Sequence, residues 1–164
     1  MEVPRGNFVM SHELGQGEFG VVMQATSLDR TLTQGHHSVA IKIMKENLPP
    51  SASRAFVREG IRLRPLNHVN VIKLLGVCFT SEPYLIVLEH MSNGDLKTFL
   101  RRMRPNDAME SSSVITEAHL VKLSIDVASG FAYLQSMRYI HRDLAARNVL
   151  LSEHFVAKIG DFGS

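Results

Sequence analysis

The stretch that decides the fold of this chain is His141-Arg142-Asp143-Leu144-Ala145-Ala146-Arg147-Asn148. After twelve intervening residues comes Asp161-Phe162-Gly163. Asp143 is a potential proton acceptor, and Asn148 and Asp161 carry hard oxygen atoms of the kind that magnesium binds. Phosphoryl transfer from ATP to a hydroxyl requires these groups close together in space.

Two residues of the first motif have simpler interpretations. We interpret His141 as a packed structural histidine rather than a proton shuttle, and Arg142 as the anchor of a loop rather than a substrate contact. Each fragment could arise by chance when taken alone. Their order and spacing together make chance a poor explanation.

The composition limits the class of protein. The chain has 164 residues, of which 45% are hydrophobic and 21% charged, and its net charge is +2. That describes a globular domain without the concentrated basic face of a nucleic-acid-binding protein. The single cysteine, Cys78, lies in an apolar run and is expected to be buried in the core. A chain with one cysteine cannot form an internal disulfide, which fits a reducing compartment. No signal peptide or membrane span is apparent, so the chain as written is predicted to be soluble and cytosolic.

The first half of the chain reads as strands, because short runs rich in β-branched and aromatic residues alternate with turns. The predicted strands are Phe8 to Leu14, Val21 to Thr26, Val39 to Met44, Val71 to Phe79 and Tyr84 to Glu89. A helix is predicted over Ala52 to Leu66, with Pro49-Pro50-Ser51 ahead of it supplying a turn and a cap. Gly60 weakens that helix by about 1 kcal/mol relative to Ala, so tertiary packing is expected to hold it.

The second half of the chain is predicted to be mainly helical. A short helix follows at Asp95 to Arg104, then a polar loop from Pro105 to Ser113, and then a long helix capped by Thr116. The apolar stripe of that helix is formed by Leu120, Leu123, Val127, Phe131 and Leu134. Two short strands, Val149 to Leu151 and Ala157 to Ile159, come last. A β-rich lobe over residues 1–91 and an α-rich lobe over 92–164 are therefore predicted, with a cleft between them.

A glycine-rich loop lies near the N-terminus, at Gly15, Gly17 and Gly20. Glycines allow backbone N–H groups to approach phosphate oxygens closely. A Rossmann dinucleotide site uses the same spacing but opens a helix. Here Val22 lies in a predicted strand, which favours a hairpin over the phosphates. An ordinary glycine-rich turn remains an alternative for this motif taken alone.

Lys42 stands inside the apolar strand Val39-Ala40-Ile41-Lys42, where a charge is unusual. Glu59 on the next helix can supply its partner, and the ion pair would orient the ammonium towards the α and β phosphates of a nucleotide. The competing interpretation is that Glu59, beside Arg58, is a plain surface residue. Leu63, one turn later on the same face, favours Glu59 as the inward residue.

From Leu14 to Gly163 these motifs resemble the protein-kinase family. The resemblance implies an α+β, two-lobed fold, with a β-rich N-lobe that carries one helix and an α-rich C-lobe that is incomplete here. Leu144-Ala145-Ala146-Arg147 is similar to the tyrosine-specific branch. Val3 to Asn7 and Gly94 to Leu100 are similar to receptor tyrosine kinases, near the insulin-receptor group.

The resemblance also implies the site residues. The catalytic residues would be Lys42, Glu59, Asp143 and Arg147. The magnesium ligands would be Asn148 and Asp161. Glu89 and Met91 would contact adenine through their backbones, Leu88 would be the gatekeeper, and Asp95 would reach the ribose. The remaining nucleotide contacts would be Leu14, Gly15, Gly17, Gly20, Val22, Ala40 and Leu150. Leu63, Leu74, His141 and Phe162 resemble the hydrophobic column that links the lobes.

The implied function is that of an ATP-dependent protein tyrosine kinase of receptor type, with ATP and Mg²⁺ as cofactors and a protein tyrosine as acceptor. The parent protein would be a plasma-membrane receptor with this domain on its cytoplasmic side. Because the family's activation segment and peptide-binding surface follow Gly163, the chain alone is expected to be inactive and to expose an apolar helix face. The alternatives are a nucleotide-binding regulatory module and serine/threonine specificity, the latter disfavoured by Ala145-Ala146-Arg147.

Overall fold

The computed structural model describes residues 2–104, 115–139 and 144–160. These residues form two units. The first contains residues 2–67 and 73–90, and the second contains residues 68–72 and the described residues from 91 to 160. The predicted lobe boundary after Met91 stays a prediction. The predictions for the 105–113 loop and for His141, Arg142, Asp143, Asp161 and Phe162 lie outside the described residues.

The first unit is built on a five-stranded antiparallel sheet with the strand order β1-β2-β3-β5-β4. Its strands are β1 (Phe8–Gln16), β2 (Gly20–Ser27), β3 (Ser38–Met44), β4 (Leu74–Cys78) and β5 (Leu85–Glu89). One helix, α1 (Pro50–Leu63), lies between β3 and β4 in the chain. Five strands and one helix were predicted here, and all six are present.

The predicted strand from Val71 to Phe79 is longer than the observed β4. Val71 and Ile72 belong to the second unit, where Val71 forms a parallel bridge with Ile159 and the Ile72 amide donates to the Ile159 carbonyl at 2.9 Å. The apolar run is continuous in sequence, but its two ends pair with different strands. The prediction of one strand over the whole run was therefore wrong.

The start of α1 also differs from its prediction. Pro49 is the N-cap residue and Pro50 begins the helix, so Ser51 lies inside the first turn. Proline suits this position because its fixed φ is already helical and its missing N–H would lack an intrahelical partner. Among the described residues no side chain caps this helix.

The core of the first unit lies against one face of the sheet. Val39 and Ile41 of β3 are fully buried there, together with Val87 of β5 and Cys78 of β4. Burial raises the pKa of the Cys78 thiol, and its Sγ donates to the Val3 carbonyl at 2.9 Å. The prediction that Cys78 is a buried core residue is confirmed.

The second unit contains α2 (Leu96–Arg102), α3 (Glu117–Ser136) and the hairpin of β6 (Val149–Leu151) with β7 (Ala157–Ile159). Thr116 caps α3 as predicted, with the His119 amide donating to its Oγ1 at 3.2 Å. Among the described helices none is both long and apolar enough to cross a membrane.

The predicted apolar stripe of α3 is only partly buried. Leu123 and Leu134 are in the core, but Leu120 is 42% exposed, and beside the stripe Ile125 is 62% exposed. An apolar hollow of about 460 Å³ opens between α2, α3 and the segment from Leu144 to Val149. The expected exposure of an apolar helix face is therefore present in the part of the chain that the structure describes.

Candidate active site

The glycine-rich segment forms the turn between β1 and β2. The Gly17 amide donates to the Gly20 carbonyl at 2.8 Å, and β2 begins at Gly20 and continues through Val22. This is the predicted strand-loop-strand arrangement and not a loop that opens a helix. Gly20 has to be glycine, since a Cβ there would lie 2.3 Å from the Ile43 carbonyl oxygen on β3.

A lysine outside the predicted site residues holds this turn. Lys45, directly after β3, donates from its Nζ to the Gly17 carbonyl at 2.9 Å and from its backbone amide to the Phe19 carbonyl at 2.8 Å. Lys45 directly follows Met44, the last residue of β3. The sequence carries no signal for this contact beyond a lysine at a strand end, which ordinarily faces solvent.

The predicted ion pair between Lys42 and Glu59 is present. Lys42 Nζ lies 2.8 Å from Glu59 Oε1 and 3.0 Å from Oε2. The two side chains are only 14% and 10% exposed, respectively. Arg58, the neighbour that offered the competing interpretation, is exposed. Glu59 is therefore the inward-facing residue of α1 at this point.

Three of the predicted nucleotide-pocket residues, Val22, Ala40 and Leu88, share one face of the sheet with Lys42. Val22 and Ile86 are the cross-strand partners of Lys42, and Ala40 pairs with Leu88. Because side chains alternate along a strand, Ala40 and Lys42 point to the same side, opposite to Val39 and Ile41 in the core. An apolar surface made by Val22, Ala40 and Leu88 thus adjoins the ammonium group. Leu14, on β1, is 43% exposed.

The two predicted backbone contacts to adenine lie where the chain passes from one unit to the other. The side chain of Glu89 is buried, and its Oε1 accepts from the Lys73 amide at 2.9 Å. The carbonyl of Met91 accepts from the Gly94 amide at 3.1 Å. The side chains of Glu89 and Met91 are both buried, consistent with any ligand contact being made by the backbone.

Asp95 is the N-cap of α2 in the second unit, where it also bridges to Leu150. Its Oδ1 accepts from the Thr98 amide and its Oδ2 from Thr98 Oγ1, each at 2.8 Å. Burial acts to raise the pKa of Asp95, but the hydrogen bonds from Thr98 outweigh it and leave the pKa below its ordinary value. The carboxylate thus has a capping role, and the ribose contact stays a prediction.

Replacing Asp95 by Ala is expected to lower the free energy of unfolding at pH 7 by about 1 kcal/mol, the usual effect of losing an N-cap. Because the folded-state pKa of Asp95 is depressed, this stabilisation is fully present above its unfolded-state pKa and is lost as pH falls through the folded-state value. Urea titrations at pH 7 and pH 3 measure the difference. Asp95→Asn, which keeps an acceptor, is the control, and an equal loss for Ala at both pH values would contradict the role of the charge.

Asn148, which the sequence predicts as a magnesium ligand, is buried in the second unit. It is 2% exposed, at the end of a short turn before β6, and its carbonyl accepts from the Gly160 amide at 2.8 Å. Asp161 is the next residue after Gly160 in the chain. The two predicted ligands are therefore linked through one hydrogen-bonded residue, and amide and carboxylate oxygens are a donor set that fits Mg²⁺.

The sheet with its single helix, the glycine-rich hairpin and the Lys42–Glu59 pair together define a protein-kinase type of fold. A sequence model described as protein tyrosine and serine/threonine kinase matches residues 8–164. The chain belongs to this family, which makes it a member of a transferase family. The predictions of the family and of its two-lobed α+β fold are confirmed.

The chain is similar to proteins named as a tyrosine-protein kinase, an insulin-like growth factor receptor and an insulin receptor. The chain is 42% identical to human tyrosine-protein kinase Fer over 95% of its own length and 18% of Fer. It is 38% identical to the bovine insulin-like growth factor 1 receptor, covering 99% of the chain and 26% of that sequence. For the Xenopus laevis insulin receptor the identity is 34%, covering 99% of the chain and 12% of the receptor. The chain thus spans about a quarter or less of these relatives.

Proposed function

We propose that this chain is part of the catalytic domain of an ATP-dependent protein tyrosine kinase of receptor type. It would transfer the γ-phosphate of Mg-ATP to tyrosine hydroxyls of a protein substrate. The observation that carries the proposal is the Lys42–Glu59 pair, with 2.8 and 3.0 Å separations, on the sheet face that also bears Val22, Ala40 and Leu88.

A purely structural role explains this pair poorly. A largely buried ion pair loses its hydration, so two apolar side chains of similar size would often give equal or greater stability. Lys42 sits in the middle of β3 between two strands that present Val22 and Ile86 beside it. An ammonium held by two carboxylate oxygens in an otherwise apolar row is suited to bind a polyphosphate in a fixed orientation.

The roles of the individual residues follow from their chemistry. Lys42 would hold the α and β phosphates, and Glu59 would orient Lys42. The backbone of Gly15, Gly17 and Gly20 would approach the phosphates, with Lys45 fixing the turn at Gly17. Asp143 would accept the proton of the attacking hydroxyl. Asn148 and Asp161 would hold Mg²⁺, which neutralises charge on the transferring phosphate.

Specificity for tyrosine is proposed from two features. Ala145-Ala146-Arg147 follows Leu144 in the pattern of the tyrosine-specific branch, and Fer, a relative at 42% identity, is named as a tyrosine-protein kinase. The receptor type is proposed from the 38% and 34% identity to the two named receptors. A receptor would place this domain on the cytoplasmic side of the plasma membrane.

Replacing Lys42 by Met is expected to weaken binding of Mg-ATP by about 10-fold to 100-fold, the range for losing a charged hydrogen-bond partner. The reason is that the ammonium no longer meets the phosphates. Titration calorimetry gives the affinity directly, and the ligand-induced rise in melting temperature gives it independently, since stabilisation grows with ligand concentration over Kd.

The matched control for this titration is Arg58→Met. It removes a cation next to Glu59 on the exposed side of α1, and Arg58 has no proposed role in nucleotide binding. Its effect on affinity should be much smaller. Equal affinities for the parent chain and Lys42→Met would contradict the proposed role of Lys42. Binding of ATP without transfer in the full-length protein would favour a regulatory module instead.

A further inference from the structure

The C-terminal half of α1 approaches the sheet more closely than any side chain at position 60 would allow. A Cβ on Gly60 would lie 2.8 Å from Cζ and 3.2 Å from Cε2 of Phe79, and 3.4 Å from Cγ1 of Val77. Reaching an ordinary contact of 3.4 Å with the ring would require a shift of 0.6 Å, the difference between 3.4 and 2.8 Å. Either the ring or the helix would have to move.

The ring of Phe79 is held by its neighbours. It packs edge-on against Phe56 with a centroid distance of 6.4 Å, and against Tyr84 at 5.8 Å. Phe56 is 1% exposed and lies one turn before Gly60 on the same helix. The backbone amide of Phe79 is fixed as well, by a 2.8 Å hydrogen bond to Glu2 Oε1. The ring is half-buried and borders a hollow of about 260 Å³ that Gly60 and Val77 also line. Because Phe56 and Tyr84 hold the ring and the backbone at Phe79 is fixed, we expect the helix to be the element that yields.

Movement of α1 at Gly60 would be transmitted to the ion pair. Val77 pairs with Ile86, and Ile86 pairs with Lys42, so these three side chains form a row across one face of the sheet. Gly60 approaches Val77 at one end of that row, and the preceding residue, Glu59, meets Lys42 two strands away. Raising the helix from the sheet at Val77 therefore lengthens the Lys42–Glu59 contacts.

We propose that Gly60 is a positioning residue, whose missing side chain sets the height of α1 above the sheet so that Glu59 reaches Lys42. The consequence for ATP binding rests on the function proposed above, but the positioning itself does not. Gly60→Ala would otherwise favour the helix by propensity alone, since alanine is the better helix former. If Gly60→Ala weakens the ion pair, helix propensity cannot be the cause, because the change in propensity alone would stabilise the helix.

The test measures the accessibility of the Lys42 amine in the full chain without nucleotide. An amine-reactive reagent is applied briefly, and the modification rates of Lys42 and Lys45 are compared by peptide mass spectrometry. Gly60→Ala is expected to raise the Lys42 rate relative to Lys45 by about fivefold, the effect of losing one hydrogen bond of ordinary net strength. Glu59→Gln provides the reference for a broken ion pair, and Arg58→Ala is the matched control on the exposed side of the helix.

The compensating variant is Gly60→Ala with Phe79→Leu, which removes the ring edge that the new methyl group meets. Its Lys42 rate should return to within about twofold of that of Phe79→Leu alone, because mutations in contact are non-additive. An unchanged Lys42 rate in Gly60→Ala overturns the proposal, and so does a raised rate that the second substitution does not restore. If Gly60→Ala alone fails to fold, the double variant must fold with the restored rate, and its failure to fold also overturns the proposal.

A second measurement separates this inference from the proposed function. Gly60→Ala should weaken Mg-ATP binding about fivefold when Lys42 is present and not in the Lys42→Met background. A raised Lys42 rate without any change in Mg-ATP affinity would support the positioning role and contradict the assignment of Lys42 to the nucleotide.

Discussion

Asp143→Asn is expected to lower kcat for phosphate transfer by about 100-fold or more, the range for losing a general base. The substitution keeps the size of the side chain and its carbonyl oxygen but removes the basic carboxylate. Because Asp143 would act on the acceptor hydroxyl and not on the nucleotide, the KM for ATP should change by no more than a few-fold. Steady-state kinetics of the full-length protein with a tyrosine peptide measures both constants.

The control for Asp143 is Asp29→Asn, which makes the same chemical change at an exposed site. The Oδ1 of Asp29 accepts from the Thr31 amide at 2.9 Å, and Asn can keep this bond. That variant should retain the parent kcat. A kcat for Asp143→Asn within a few-fold of the parent value would mean that Asp143 has no role in proton transfer.

Asp161→Asn is the second substitution with a large expected effect, and its effect should depend on magnesium. Asp161 would hold Mg²⁺ with a negatively charged carboxylate, whereas the amide of Asn would offer only a neutral oxygen. Activity at limiting magnesium should fall by about 100-fold or more, as expected when a main stabiliser of transition-state charge is weakened. Raising the magnesium concentration should recover part of that loss.

Asn148 is the other proposed magnesium ligand. It is buried, and its backbone carbonyl accepts from the Gly160 amide at 2.8 Å. Asp126→Asn is a suitable control, since Asp126 accepts from the Ala157 amide in the same unit and is not a predicted magnesium ligand. An Asp161→Asn loss that is the same at all magnesium concentrations would contradict the metal-ligand role.

Much of the first unit could be predicted because local pattern and tertiary structure agree there. Val39 and Ile41 alternate with Ala40 and Lys42, so the strand period alone separates the core face from the face that bears the ion pair. The helical period placed Glu59 inward on α1, because Leu63 lies one turn later on the same face. Lys42 is a charged residue in an apolar strand, so a partner of opposite charge was expected, and Glu59 on the next helix could supply it.

The remaining features depend on contacts that are distant in sequence. Val71 and Ile72 are as apolar as β4, yet they bond to Ile159, and no local pattern distinguishes the two pairings. Gly60 could be predicted only as a weak point of a helix, because its close approach is to Phe79, which lies outside that helix. The contact of Lys45 with Gly17 likewise depends on how the β1–β2 turn meets the end of β3.

Phosphate transfer to tyrosine tests the central claim most directly. The full-length protein is incubated with Mg-ATP labelled at the γ-phosphate and with three matched peptides that carry Tyr, Ser or Phe at the acceptor position. The account predicts labelled phosphotyrosine in the first peptide, none in the Phe peptide, little in the Ser peptide, and loss of the label in Asp143→Asn. Label on the Ser peptide alone, or no transfer by a protein that binds Mg-ATP through Lys42, would contradict it.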